Sequence, residues 1–326
     1  MSTLRVCVIG AGRLSTRRIY PYIGAAGARL VGSCALHIEK AEQKALLFGG
    51  QAYTDIDRML DEQKPDCVMM CINAELHARL AVQVMRRGIP VYIEKPPALS
   101  AAAALEVARF SYETGVLCST AFKKRYNVAY NRAKEWIGAR DASDLCTLSI
   151  DYASSKFPND TQLRSVLFDF CIHAIDLTGY LFGDVEQVFC FAKGNDAFAV
   201  SLKFTNGAVG SLCFSDERSG IVPTEEVEIT ARGGNFMTIH NSSVWRITEN
   251  GKPAEWREPP TFVSLGDSGN DTGHLAEIVD FLAAISEKRT TRSNIFESYK
   301  SMVLYEAIGE SAKRQEPVRV TYQRLT

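Results

Sequence analysis

Two short stretches of this 326-residue chain carry side chains whose types and spacing suit charge and proton chemistry. The first is Val91-Tyr92-Ile93-Glu94-Lys95-Pro96-Pro97. Val91 to Ile93 are β-branched or aromatic and follow the turn-forming Gly88-Ile89-Pro90, so they read as the end of a buried strand. Two prolines stop that strand, because proline offers no N–H to a ladder. Glu94 and Lys95 are left at its end, and in open α/β sheets ligands bind just beyond the carboxyl ends of the strands, so a lysine held there is placed for chemistry. The bland alternative is a surface lysine capping a strand, since short motifs recur by chance. The second stretch runs from Val166 to Leu177 and contains Asp169, Cys171, His173 and Asp176. If it is helical, Asp169, His173 and Asp176 fall at i, i+4 and i+7 and share one face. A carboxylate one turn from an imidazole orients the ring and stabilises its cation, as a general acid or base needs. A solvated polar face is the alternative, but the intervening residues are apolar and no Lys or Arg lies among them. Asp and His also suit a metal, yet no third ligand is evident, and no metal is expected.

The elements that must position these groups begin at the N-terminus. Val6 to Ile9 read as a strand, Gly10-Ala11-Gly12-Arg13-Leu14-Ser15 follows, and Thr16 to Ile23 continue as a helix. Gly10 permits a tight turn, and Gly12 lets the backbone approach a pyrophosphate, whose charge the helix start then holds. Ser15 departs from the third glycine of that fingerprint. Strands at 29–34, 51–53, 67–72, 91–93 and 116–120 alternate with helices at 39–48, 56–62, 76–87 and 101–113. Continuous apolar strands between amphipathic helices mean a parallel, doubly wound sheet. Asn73 and His77 then sit at the same edge of the sheet as Glu94 and Lys95. Asn73 can instead cap the next helix, and His77 can equally pack its first turn against the neighbouring loop.

After Phe122 the pattern changes. A basic run, Lys123-Lys124-Arg125, and a helix over 128–138 lead into alternating strand-like segments punctuated by Asn206-Gly207 and Gly233-Gly234. Helices return at 275–286 and 298–313, and a strand closes the chain at 318–322. The expected fold is therefore α/β: a dinucleotide-binding Rossmann domain over 1–120, and an α+β domain with a largely antiparallel, open-faced sheet over 121–326. An uncovered apolar sheet face predicts a homodimer or homotetramer.

The bulk properties exclude several classes. A formal net charge of -1 gives no reason to expect nucleic acid or an anionic membrane as partner. No apolar run is long enough to span a bilayer, and the first strand is too short for a secretory signal. Nine scattered cysteines without a Cys-x-x-Cys pair read as reduced core thiols of a cytoplasmic protein.

Taken together and in this order, Gly10-Ala11-Gly12, Asn73-x-x-x-His77, Glu94-Lys95-Pro96 and Asp169-x-x-x-His173-x-x-Asp176 resemble the glucose–fructose oxidoreductase/inositol dehydrogenase/rhizopine-catabolism (Gfo/Idh/MocA) family of NAD(P)-dependent dehydrogenases, over essentially the full length. The resemblance implies hydride transfer between nicotinamide and a secondary alcohol or ketone of a sugar, cyclitol or sugar derivative. It makes Lys95 the polarising group, His173 the proton-transfer residue and Asp169 its helper. Gly10, Gly12, Arg13, Leu14, Ala35, His37, Ile72, Asn73, His77, Glu94 and Lys95 are then expected at the cofactor. Lys123, Arg125, Asn127, Asp169 and Asp176 are candidates for the substrate, with Tyr152 and Lys156 behind them. A solvated basic turn is the competing reading of 123–127. Strand 29–34 ends at Ala35-Leu36-His37 with no carboxylate before Glu39, so NADP(H) is expected over NAD(H). Cys171, where the family usually has glycine, bears on the substrate pocket. The alternative function is a dinucleotide-binding regulator of the same fold without turnover.

Overall fold

The computed structural model describes residues 3–219, 224–259 and 269–325. The chain forms two compact units: one of Met1–Lys123, Gly273–Tyr299 and Leu325–Thr326, the other of Lys124–Thr272 and Lys300–Arg324. A single division after residue 120 thus differs from the structure, because a late segment packs with the first unit.

In the first unit lie β1 (Arg5–Ile9), α1 (Arg13–Arg18), α2 (Tyr20–Ala25), β2 (Arg29–Cys34), α3 (Ile38–Phe48), β3 (Gln51–Tyr53), α4 (Ile56–Gln63), β4 (Cys67–Met70), α5 (Ala74–Met85), β5 (Val91–Ile93), α6 (Ala101–Thr114) and β6 (Cys118–Thr120). The six strands form one sheet in the order β3-β2-β1-β4-β5-β6, and every neighbouring pair is parallel. Because side chains alternate across a strand, Cys7 and Ile9 enter a core with α4, α5 and α6, while Val6 and Val8 enter another with α2. Both faces are dry, which is why these strands read as unbroken apolar runs.

The second unit contains α7 (Val128–Gly138), β7 (Leu145–Ala153), α8 (Ile172–Phe182), β8 (Val185–Lys193), β9 (Ala197–Phe204), β10 (Val209–Ser215), β11 (Thr224–Ala231), β12 (Asn235–His240), β13 (Val244–Glu249), β14 (Lys252–Arg257) and the short α9 (Gly269–Thr272). The chain then places α10 (His274–Glu287) back in the first unit, where Ile278 and Phe281 complete the core around Val6 and Val8. It ends with α11 (Ile295–Arg314), which begins in the first unit and finishes in the second, and β15 (Val318–Arg319). The second sheet runs β14-β13-β12-β11-β7-β10-β9-β8-β15 and is antiparallel except where β10 pairs with β7. Leu148, Ile150, Leu212 and Ile229 bury their side chains against α7, α8 and α11, while residues of the other face such as Ser211, Cys213 and Glu228 are exposed. Gly207 and Gly233–Gly234 turn their hairpins at positive φ, as the sequence predicts. Among the described residues no helix is long and apolar enough to cross a membrane.

Candidate active site

Parallel pairing brings the carboxyl ends of β1, β2, β4 and β5 to one edge of the first sheet, and the candidate cofactor residues follow these ends. Gly10 has φ 111°, and its N–H donates to the Cys34 carbonyl at 2.9 Å. A Cβ there would lie 2.1 Å from the Cys71 oxygen, so no other residue fits. Gly12 is different: its φ of -79° suits any residue, and a Cβ would meet nothing within 4 Å. Neither backbone nor packing requires glycine at position 12. What it leaves is an open approach to the chain in front of α1. Ser15 is buried and donates from Oγ to the Gly12 carbonyl at 3.1 Å, so it occupies the third-glycine position without blocking that approach. Arg13 and Leu14 stand exposed on the first turn of α1. The helix predicted over 16–23 is interrupted at Ile19, which joins α1 to α2.

Ala35 is tied by its N–H to the Tyr53 carbonyl at 3.0 Å, just past β2, and His37 is exposed at the start of α3. Asn73 precedes α5 but makes no side-chain capping bond, and its exposed amide stands at the sheet edge. Glu94 is buried; its N–H donates to the Met70 carbonyl at 2.9 Å, and its Oε2 accepts from the Lys95 N–H at 3.2 Å. Lys95 is half-buried and precedes a cis peptide bond to Pro96.

His77 requires a correction. It was expected at the cofactor, but it is 0% exposed and its ring lies between two main-chain carbonyls, Nδ1 2.8 Å from the Pro96 oxygen and Nε2 3.1 Å from the Ile72 oxygen. With no accessible surface it joins two loops and touches no ligand. Ile72 is half-buried beside it. Burial holds the imidazole below its ordinary pKa, assisted by the nearby Lys95 charge and opposed by the two carbonyls.

A group that the sequence did not disclose lies behind Glu94. The Tyr92 hydroxyl, on β5, donates to Oε1 of Glu277, on α10, at 2.8 Å. Burial, then the charge of Glu94, pushes the Glu277 carboxyl well above the usual carboxylate range. His274, one turn earlier, is lowered to about 2 by burial and by the charges of Lys123 and Arg18. Lys123 is half-buried within the same unit. No local motif joins residues 185 positions apart, so periodicity could not have found this group.

In the second unit, residues Val166–Phe170 form a π-helical turn that leads through Cys171 into α8. Asp169 lies in that turn, and His173 and Asp176 follow on α8. Asp169 and His173 remain half-buried near the head of α8. Phe170 stacks on Tyr152 with ring centroids 4.1 Å apart, and Lys124 lies 4.8 Å from the Tyr152 ring centre.

Asp176 departs from the expectation that it faces a substrate. It is 0% exposed and held by Arg125, whose Nε and Nη2 donate to its two oxygens at 2.9 and 2.8 Å, and by Ser301 Oγ at 2.7 Å. Arg125 is equally buried, so both are framework and not pocket lining. Asn127 is likewise used: its side-chain oxygen caps α7, accepting from the Ala129 N–H at 2.9 Å, while its amide donates to the Asp271 carbonyl at 2.7 Å. Lys124, just before Arg125 in the sequence, is buried in an ion pair with Glu225, which also accepts from Tyr130 and Ser242. Lys156 is paired with Glu217 at 2.6 Å and Asp196 at 3.1 Å on the surface.

The residues at the edge of the first sheet fit a dinucleotide: a turn that only glycine allows at position 10, an uncrowded Gly12 before the following helix, and an acidic and a cationic side chain at the next strand ends. The Gfo/Idh/MocA profile described as an oxidoreductase family with an NAD-binding Rossmann fold matches residues 4–122, and the profile of its C-terminal alpha/beta domain matches residues 160–320. A 4-carboxy-2-hydroxymuconate-6-semialdehyde dehydrogenase from Sphingobium is 24% identical over 94% of this chain and 97% of its own length. An inositol 2-dehydrogenase from Saccharopolyspora erythraea is 27% identical, over 56% of this chain and 54% of that protein. Levoglucosan dehydrogenase, in complex with NADH and L-sorbose, shares the fold with a TM-score of 0.88 at 20% identity, over 99% of this chain and 100% of that one. Both domain profiles, matched in order over most of the sequence, show that this protein belongs to the Gfo/Idh/MocA oxidoreductase family.

Proposed function

We propose that the protein is an NAD(P)-dependent dehydrogenase or reductase exchanging a hydride between nicotinamide and a secondary alcohol or ketone of a sugar, a cyclitol or a sugar derivative. The observation that carries this reading is the parallel sheet of the first unit, which brings Gly10, Gly12, Ala35, Asn73, Glu94 and Lys95 to the carboxyl ends of neighbouring strands. The names of the relatives, an inositol dehydrogenase and a levoglucosan dehydrogenase, support the substrate class. When bound, the nicotinamide ring supplies the hydride acceptor or donor.

In this proposal the chain's own groups do the rest. Gly10 and Gly12 shape the turn against the pyrophosphate, and Glu94 orients the nicotinamide end. Lys95 stabilises negative charge developing on the substrate oxygen. His173 takes the hydroxyl proton in oxidation and returns it in reduction, with Asp169 orienting the ring. Lys95 and His173 belong to different units, and the order of motifs along the chain is what assigns them to one step. NADP(H) is the preferred dinucleotide, because Ala35 presents no carboxylate to repel a 2′-phosphate and Arg13, straight after Gly12, is exposed to meet one.

A panel of cyclitols, hexoses, an anhydrosugar and a hydroxymuconate semialdehyde, run with both dinucleotides, tests the activity. On whichever substrate turns over, Lys95→Met lowers kcat about 100-fold or more while retaining dinucleotide binding. His173→Ala does likewise and changes the pH–rate profile. Wild-type turnover in both variants removes the assignment.

A further inference from the structure

We infer that His77 is a positioning residue for Lys95, an inference that rests on the role given to Lys95 above. The geometry around that lysine shows what fixes it. On its N-terminal side the chain is still in the sheet, because the Glu94 N–H donates to Met70 on β4. One residue beyond Lys95 the ladder has ended, and the proline that follows has no N–H with which to continue it. The Pro96 carbonyl is instead met by His77 Nδ1 at 2.8 Å. The same ring reaches the Ile72 carbonyl, at the end of the loop between β4 and α5, at 3.1 Å. Lys95 is therefore bracketed, by the strand on one side and by an imidazole on the other. That imidazole is carried on the first turn of α5, which is itself packed into the core through Leu80, Ala81 and Val84.

The chemistry of the ring sharpens the point. A neutral imidazole carries a single N–H for these two acceptors. The shorter contact assigns that proton to Nδ1, so the donated bond is the one to Pro96, beside Lys95. The ring and Pro96 are both buried, so the Pro96 carbonyl has no water as a substitute, and an unmade bond there costs more than it would at the surface. A small shift at this point swings the ammonium of Lys95 through several bonds, and a displacement of about 1 Å at a polarising group can lower a rate about 100-fold.

A double-mutant cycle on the intact protein separates positioning from general packing. His77→Ala is expected to lower kcat at least tenfold in the wild-type background and less than twofold in the Lys95→Met background, because a residue acting through Lys95 falls silent once Lys95 is gone. His77→Gln, whose amide can donate to Pro96, restores part of the loss. A second readout needs no substrate: binding of NADPH, followed by nicotinamide fluorescence, changes less than twofold in His77→Ala, as it does on removal of Lys95 itself. Equal losses of kcat in both backgrounds, or a several-fold loss of NADPH affinity, overturn the inference and make His77 a packing residue. If His77→Ala does not fold, the Gln variant decides: wild-type kcat alongside a loss of the Pro96 contact would sink it. An inert Lys95→Met variant is a separate outcome, which removes the role of Lys95 itself.

Discussion

At position 35 a methyl group stands where a carboxylate would select the unphosphorylated ribose. Ala35 is pinned by its N–H to Tyr53 beside the turn at Gly10, so the identity of its side chain, and not its placement, is what remains to discriminate. An aspartate there would accept from the 2′-hydroxyl and repel a 2′-phosphate. A guanidinium such as Arg13 paired with that phosphate contributes about 1 kcal/mol or more, which corresponds to a preference of about fivefold or greater for NADPH in kcat/KM. Ala35→Asp is expected to reverse the order. Equal kcat/KM values for the two dinucleotides in the wild type, or faster turnover with NADH, would show that this position does not discriminate.

At the scale of elements, the head of α8 combines a π-helical turn with a buried ion pair. The turn carries Asp169, His173 stands in the first turn of α8, and Asp176, one turn further on, locks α8 to Arg125 and to Ser301 of α11. Both charges are desolvated, so removing one leaves the other without compensation. Asp176→Asn should therefore lower the unfolding free energy by about 3–5 kcal/mol, measured by urea titration. A loss below about 1 kcal/mol would mean that Arg125 finds water or another acceptor, and the pair would not be the anchor described here.

At the scale of the molecule, the nine-stranded sheet of the second unit exposes the alternate residues of its strands among the described residues. The strand register places Phe191, Ala199 and Cys213 side by side, and Val209, Thr147, Thr230 and Phe236 in a second row, with Ser211 and Ser149 between the two. Phe191 is 63% exposed and Val209 51%. Small, hydroxyl and aromatic groups on a broad sheet suit a flat contact with an identical surface, and twofold pairing is the commonest way to cover one. We propose a homodimer, or a tetramer built from it, through this face. Sedimentation at micromolar concentration should give a dimer or its multiple, and Val209→Lys combined with Cys213→Arg should shift it toward monomer while dinucleotide binding persists. A wild-type monomer under those conditions ends the proposal.

The sequence by itself determined whatever depends on neighbours a few residues apart. Unbroken apolar runs between amphipathic segments specify strands buried on both faces, and a parallel sheet follows, with Gly10, Ala35, Asn73 and Lys95 all at its carboxyl edge. Alternation and paired glycines specify the antiparallel hairpins of the second unit in the same way. The tertiary structure alone decided which polar groups remain available. Arg125, Asn127 and Asp176 have the composition of a binding pocket, yet each is consumed by partners 51, 144 and 125 positions away. His77 carries a ring that could meet a cofactor, and its burial between two carbonyls removes it from the surface. Tyr92 and Glu277 meet only because α10 returns to the first unit after the second has been built. Short-range pattern sets where a side chain stands along an element, whereas its hydration, and with it its chemistry, depends on chain segments that pattern cannot see.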